Sequence, residues 1–571
     1  MATRRVEAGS QAVAWGVVAL GCLLRLGLAF HRSANQDEFQ HLHDAWSVAA
    51  GLLPYRDFWD DHGPLTAVLL APLAARLQGE TLLVAARLAM VPLLLGILLA
   101  TGAVAARLHG RHAAVWAMAL LSAMDLFGQK MIEVRPDLPL VLLWLAALLV
   151  LLRAPGSPRA GFWSGLLLGA AAWASPKALF PLAASGLGLA ACQAARGLRG
   201  LDRTDAPWRV APALLAGFAL PVALLLATFA RLGAAGALYE WTIHRSFLYP
   251  ERLRFSPLPI LARPEHATFW VLAGIGWLRT LRSADARAGG PSLLLAAESL
   301  ALVGIHLFLL PAPYAQSAAL FLPLLAVHAG YAVDGLLRPA ATSGGVAGLG
   351  RVALALAAFA GAVLLPALRR GGSLELSLRP ALHTQMEETR RLLALTGPHD
   401  AILSGKPWAI TRPSPYFFGT LSVAMVELHR TGLLPPPGRP GIAASVLAAG
   451  CRFVVLDRFL AASLAPADRR LLAQSFLPAP LALPSRPARG LPAGLLLAGR
   501  RFDGAALAAQ ELRFAWPIAG WFVFEVEGTA QALRLDGVPV TGPVRLEAGE
   551  HRLAFEGRPR AVILRARLRG E

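Results

Sequence analysis

The chain of 571 residues carries 54 Lys and Arg against 35 Asp and Glu, yet it is only 16% charged and 56% hydrophobic, with a mean hydropathy of +0.53. Soluble domains hold about 25% charged residues, so a wholly soluble protein is excluded. The net charge of +19 does not mark a nucleic-acid binder: lysine occurs only at Lys130, Lys177 and Lys406, and the arginine excess beside abundant Ala, Gly and Pro reflects a GC-rich genome.

MATRR followed by the apolar run 11–30 resembles a signal peptide. The run is long for one and no small-residue cleavage pattern follows, so an uncleaved first helix is expected. A spanning helix needs about 20 apolar residues. The expected spans are 12–30, 85–106, 113–128, 137–152, 161–176, 178–195, 210–230, 268–283, 292–310, 317–337 and 349–368. The stretch 65–77 is short for a span and reads as an interfacial or re-entrant helix. The arginine-rich loops 107–112, 153–159, 196–209 and 279–287 alternate with the others and, with MATRR, place the N-terminus in the cytoplasm by the positive-inside rule. Everything after Arg369 then lies on the opposite, outer face, together with loops 31–64, 133–137, 231–267 and 311–316.

The expected architecture is a polytopic α-helical membrane domain of about eleven spans (1–370), an outer-face α/β unit (371–477), a Pro-rich linker (478–513) and a small antiparallel β-sandwich (514–571). The helical period of 383–395 and the apolar runs 400–405 and 451–457 carry the α/β unit. Short alternating strands separated by turn signals such as Asp536-Gly537 carry the sandwich. Cys22, Cys192 and Cys451 give neither a disulfide framework nor a zinc pattern.

Loop 31–64 is the polar centre of an otherwise apolar domain. It holds six carboxylates (Asp37, Glu38, Asp44, Asp57, Asp60, Asp61) and four histidines (His31, His41, His43, His62). Asp37, His41 and Asp44 share one face if the segment is helical. A carboxylate here suits deprotonation of an acceptor or coordination of a metal, and it also suits a plain acidic juxtamembrane helix. Tyr55 to Leu65 alternates aromatic and charged residues, as an interfacial belt would. Glu133-Val134-Arg135-Pro136-Asp137 opens the fourth span, where the helix dipole alone favours acids. Trp173-Ala174-Ser175-Pro176-Lys177 puts a lone lysine at a helix boundary, to snorkel or to meet a phosphate. Arg25 lies inside the first span, and such a charge usually faces a protein interior or cavity.

The order of these motifs resembles the GT-C class of membrane glycosyltransferases, in the branch of protein O-mannosyltransferases and the lipid A aminoarabinose transferase. Those proteins carry an Asp-Glu pair after the first span, a His-Pro-Pro-Leu-like element at the end of the loop, and an Arg-Pro-Asp element at the fourth span. Here these are Asp37-Glu38, His62-Gly63-Pro64-Leu65 (glycine replacing the first proline) and Arg135-Pro136-Asp137. Segment 404–421 also resembles outer soluble segments of bacterial relatives.

The resemblance implies a multi-pass protein of the bacterial inner membrane. It would move a hexose or pentose, with inversion, from a polyprenyl-phosphate donor to a lipid, glycan or protein acceptor on the outer face. Asp37 is the expected base, with Glu38 next. Lys177, Arg135, Arg25 and Arg245, with Arg252 and Arg254, are the expected donor-phosphate cations. Asp137, Glu133, His62 and Asp61 are expected near the acceptor or a metal. No cofactor is certain; a divalent metal (magnesium, manganese or zinc) on Asp37, Asp137 and His62 stays open. Trp516 and Trp521 suit either a sugar platform or a sandwich core. The rival reading is a transporter or flippase of lipid-linked intermediates, which lacks support from inverted repeats or broken central helices.

Overall fold

The computed structural model describes residues 2–154, 156–200, 209–245, 263–310, 314–343, 345–479, 494–507 and 510–570. Its first two-thirds is a helical bundle: α1 (Ala2–His31), α2 (Gln36–Ala49), α3 (Leu65–Ala74), α4 (Gly79–His109), α5 (Arg111–Ala123), α6 (Asp125–Lys130), α7 (Asp137–Arg153), α8 (Pro158–Ala172), α9 (Leu179–Leu198), α10 (Val210–Arg231), α11 (Ala267–Leu281), α12 (Pro291–Gly304), α13 (Leu322–Ser343) and α14 (Gly345–Leu368). Each stretch read as a span falls mainly on helix, although 113–128 is broken at Met124, 317–337 is broken at Phe321 and 161–176 runs past the end of α8 at Ala172. Among the described residues, five segments are long and apolar enough to cross a membrane by length and composition: Gly9–His31, Gly79–His109, Pro176–Leu198, Val210–Arg231 and Pro291–Leu309.

Packing of α8 on α10 shows how a leucine- and alanine-rich bundle acquires specificity. Gly161, Gly165 and Gly169 recur every fourth residue on α8 and face α10. A Cβ at Gly165 would sit 2.0 Å from the Leu214 carbonyl oxygen, and one at Gly217 would sit 2.0 Å from that of Phe162. Where lipid removes the hydrophobic drive between helices, such close backbone approach supplies the dispersion contacts that hold them.

After the bundle, α15 (Ala381–Leu395) leads into a sheet that has, among the described residues, nine strands: β1 (Ile402–Ser404), β2 (Phe453–Leu456), β3 (Phe476–Pro478), β4 (Gly494–Asp503), β5 (Glu511–Trp516), β6 (Gly520–Leu535), β7 (Val538–Pro539), β8 (Val544–Leu546) and β9 (Gly549–Ala566). The order is β1-β2-β4-β9-β6-β7, with β3 on β4, β5 on β9 and β8 on β6. β1 and β2 pair in parallel and are buried throughout, as continuous apolar runs predict.

Two expectations are corrected here. The stretch 478–513 is not simply a linker, because it contains β4. Nor do the α/β unit and the C-terminal strands form separate sheets. The apolar half of β4 pairs with β2 through Val454↔Leu496, and its charged half pairs with β9 through Arg501↔Ile563, so one strand belongs to both. Trp516 is core, 2% exposed and edge-on to Phe522, whereas Trp521 is half exposed.

The core of this unit runs on into the bundle, taking in Tyr55, Trp59 and Trp241. The Trp59 N–H donates to the Phe417 carbonyl at 3.0 Å, and the Gln36 side chain donates to the Leu421 carbonyl at 2.7 Å. His43 Nδ1 lies 2.8 Å from the Ile410 carbonyl. Segment 404–423 is thereby laid across α2.

Candidate active site

α1 ends at His31, and α2 begins five residues later with Asp37 and Glu38 in its first turn, where the helix dipole favours acids. The two neighbours then part. Glu38 turns inward to Arg87 of α4, which grips both carboxylate oxygens at 2.7 Å with neither side chain exposed. Arg87 also donates to the Ala29 and Arg32 carbonyls at the end of α1, at 3.1 and 2.8 Å. Glu38 further accepts from the Asn35 and Val134 N–H groups. Glu38 is thus a fully engaged structural acid, with no lone pair left for a substrate proton.

Asp37 turns the other way, and its side chain stays 31% exposed. Arg135, from the turn that opens α7, reaches it at 2.6 Å. Arg135 also meets Glu133 at 2.5 Å and stands 3.9 Å from Asp137. Glu133 in turn holds Arg32 at 2.7 Å and Lys130 at 2.9 Å, and Asp137 holds Lys177 at 2.9 Å. Burial works against the charge on Asp37, but the Arg135 guanidinium outweighs it and holds the carboxyl below its ordinary range. Burial likewise opposes the charge on Arg135, and Glu133 with Asp37 outweighs it, fixing the cation.

The end of loop 31–64 is shaped by Tyr55. This residue is buried in the left-handed region (φ 69°), its N–H donating to Phe58 and its hydroxyl to the His62 carbonyl at 2.5 Å. The next turn stacks Asp60, Asp61 and His62. His62 Nδ1 lies 2.8 Å from Asp61 and 3.4 Å from Asp60. Burial disfavours the imidazolium, yet Asp61 and Asp60 overcome it and raise His62 to about 10. For Asp61 burial is likewise overcome by His62, and the carboxyl falls to about 2. Gly63 explains the departure from the His-Pro-Pro pattern. Its N–H donates to the Ala174 carbonyl at 3.0 Å, and a Cβ there would lie 2.2 Å from the Trp173 carbonyl oxygen. Proline offers neither the donor nor the space.

These elements surround a cavity of about 360 Å³. Asp37, Asp61, His62, Arg135 and Lys177 stand on one wall, joined by Tyr314 and Gln316. Leu179, Phe180, Ile243, Leu309 and Leu310 supply an apolar wall, and Ser422 and Val423 of the C-terminal unit also line the cavity. Leu309 and its neighbour Phe308 are 69% and 83% exposed, so the apolar wall runs out to the bundle surface.

Of the residues read from sequence, five therefore meet in the cavity. Glu38, Glu133 and Asp137 are buried behind it, holding the cations in place. Arg25 is a correction: it faces the interior, but its guanidinium donates to the Ser122 carbonyl at 2.7 Å and fills the space left by Gly128, tying α1 to α5 and α6. Arg245 pairs with Glu240 at 2.7 Å, away from the cavity lining. Arg252 and Arg254 lie outside the described residues. The expected metal set of Asp37, Asp137 and His62 does not converge, since the first two are committed to Arg135 and Lys177. Among the described residues the ligand atoms that gather within 4.8 Å belong to Asp60, Asp61 and His62. Sequence reading missed Tyr314 and Gln316 as wall residues; their place in the polar loop 311–316 was the available signal.

This arrangement of bundle, acidic loop and overlying C-terminal unit has the fold of the GT-C membrane glycosyltransferases. The family model described as dolichyl-phosphate-mannose-protein mannosyltransferase matches residues 61–194. ArnT from Cupriavidus metallidurans in the apo state superposes with a TM-score of 0.53 at 14% identity, over 81% of this chain and 96% of that one. The oligosaccharyltransferase of Archaeoglobus fulgidus in complex with Zn and sulfate superposes with a TM-score of 0.50 at 13% identity, over 81% and 71%. No curated protein sequence matches the chain. The resemblance read from the motifs is borne out at the level of the fold.

Proposed function

We propose that the protein is an integral-membrane glycosyltransferase that moves a sugar from a polyprenyl-phosphate donor to an acceptor, with inversion and with Asp37 as the base. The observation that carries this reading is the division of the cavity. A carboxylate and two paired cations, Arg135 and Lys177, share one cavity with apolar side chains that reach the bundle surface. A prenyl chain suits the apolar wall and a phosphate the cations, and the matched family is described by a dolichyl-phosphate-linked sugar. The alternation of arginine-rich loops supports eleven spans with the N-terminus in the cytoplasm and the cavity on the outer face, and the family resemblance suggests a bacterial inner membrane.

The same geometry supplies the steps. While Arg135 pairs with Asp37 and no donor phosphate is bound, the carboxylate is a weak base. A donor phosphate takes up part of the Arg135 charge, so Asp37 gains basicity as the leaving group gains its cation. The acceptor oxygen or nitrogen loses its proton to Asp37 while attacking the anomeric carbon from the side away from the phosphate. The bond from that carbon to the phosphate oxygen breaks, and polyprenyl phosphate departs against Lys177 and Arg135 without needing an acid.

Asp37→Asn in reconstituted vesicles, supplied with a labelled polyprenyl-phosphate sugar, tests the assignment. Transfer should fall by ~10²–10⁴-fold while the lipid still binds. Undiminished transfer would remove Asp37 from the role of base.

A further inference from the structure

Behind the wall that carries His62 lies a second, enclosed chamber, one turn of α2 below Asp37. His41 and Asp44 of α2, Asp60 and His62 of the loop, and Thr66 of α3 line it, and it leaves no room for a water molecule. His41 Nε2, Asp44 Oδ2 and Thr66 Oγ1 are buried there without a hydrogen-bond partner, on residues only 4%, 3% and 5% exposed. Buried polar atoms ordinarily find partners, and one left alone costs roughly 1–3 kcal/mol. Three orphans in one closed space call for a specific occupant.

Charge points the same way. Asp60 and Asp61 pair with a single imidazolium, that of His62, and Asp44 lies within its field, while Lys177 is committed to Asp137. The rings of His41 and His62 stand edge to face with centroids 4.9 Å apart, a spacing suited to two imidazoles on one centre. One ligand atom each from Asp60, Asp61 and His62 already lies within 4.8 Å of the others. A water needs partners at about 2.8 Å and a probe-sized void. A metal ion bonds at about 2.0–2.2 Å and so fits a space that water does not.

We infer that Asp60, Asp61 and His62 of the loop, joined by His41 and Asp44 of α2 as they close on the ion, hold one divalent transition-metal ion at this chamber, His62 releasing its proton on binding. The mixed imidazole and carboxylate donors suit zinc better than magnesium or calcium. The ion is placed behind the cavity wall, where it fastens the loop bearing Asp61 and His62 to the helix bearing Asp37. It touches neither substrate nor Asp37. The inference does not depend on the transferase reading, because its test measures metal rather than sugar transfer.

Full-length protein purified in detergent with metal-free buffers should contain one equivalent of zinc per chain. After chelation, added Co²⁺ should give the ligand-field absorption of a bound low-symmetry ion, displaced by Zn²⁺. Asp44→Asn, nearly isosteric, and His41→Gln should each lose most of the bound metal, whereas Asp37→Asn should retain all of it. Wild-type protein with background metal and no cobalt spectrum would overturn the site, as would full stoichiometry in both chamber variants. Equal loss in Asp37→Asn would place the ion in the open cavity and overturn the inner site as well. Should His41→Gln fail to fold, Asp44→Asn alone decides by the same readings.

Discussion

Glu38 and Arg87 meet prong to prong, both oxygens 2.7 Å from guanidinium nitrogens and both side chains sealed from solvent. Its neighbour Asp37 lines the cavity, so one step along α2 separates a structural acid from the proposed base. Removing one partner of a buried pair leaves the other charge uncompensated. Arg87→Met should cost about 3–5 kcal/mol, read as a fall in the thermal midpoint of the solubilised protein. Asp37→Asn, exposed at one edge, should shift that midpoint little. Equal shifts in both variants would deny the division of roles.

The pH profile of transfer follows from Arg135. Because the folded Asp37 carboxyl sits below its ordinary value, it is ionised across neutral pH. Activity owed to it is lost only as pH falls below about 4. Arg135→Gln removes the attraction and leaves burial and Glu133, both of which raise the carboxyl. The acid limb of kcat/KM should then move up by ~1–3 units. An unmoved limb would mean that Asp37 does not titrate in the rate.

Lys177 and Asp137 can be separated by a double-mutant cycle. Lys177→Met should lower kcat/KM for the lipid donor by ~10²-fold if the ammonium meets the leaving phosphate. It should also destabilise the protein by leaving Asp137 buried without its cation. Adding Asp137→Asn should recover much of the stability and none of the transfer. Recovery of both would make Lys177 a packing residue.

Gly165 tests the bundle apart from the chemistry. Any side chain there meets the Leu214 carbonyl of α10, so Gly165→Ala must push the two helices apart. Overpacking of this kind costs typically ~1–3 kcal/mol, measurable as a lowered unfolding midpoint. Gly186, with nothing near its missing Cβ, is the control and should tolerate alanine.

Much of this was readable from residue order, because apolar length and an acidic loop are one-dimensional signals. The helices fall where the apolar runs do, and Asp37, Arg135 and Lys177 meet as the motif order implied. What stayed hidden depended on partners distant in the chain. Nothing around Glu38 announces Arg87, 49 positions on, so the residue order left Glu38 as the second choice of base rather than marking it as structural. Arg25 faces the interior as an intramembrane charge should, but whether that interior was a cavity or the backbone of α5 was a question of packing. β4 was lost because its apolar run, Gly494 to Ala498, follows a Pro-rich stretch that reads as connection.

The strand of contacts from Trp59, Gln36 and His43 to residues 410–421 bears on how this protein can be re-engineered. Because Ser422 and Val423 line the cavity, a version cut back to its bundle would lose part of the lining of the proposed site. A chimaera that borrows this half from a relative would also replace those two lining residues.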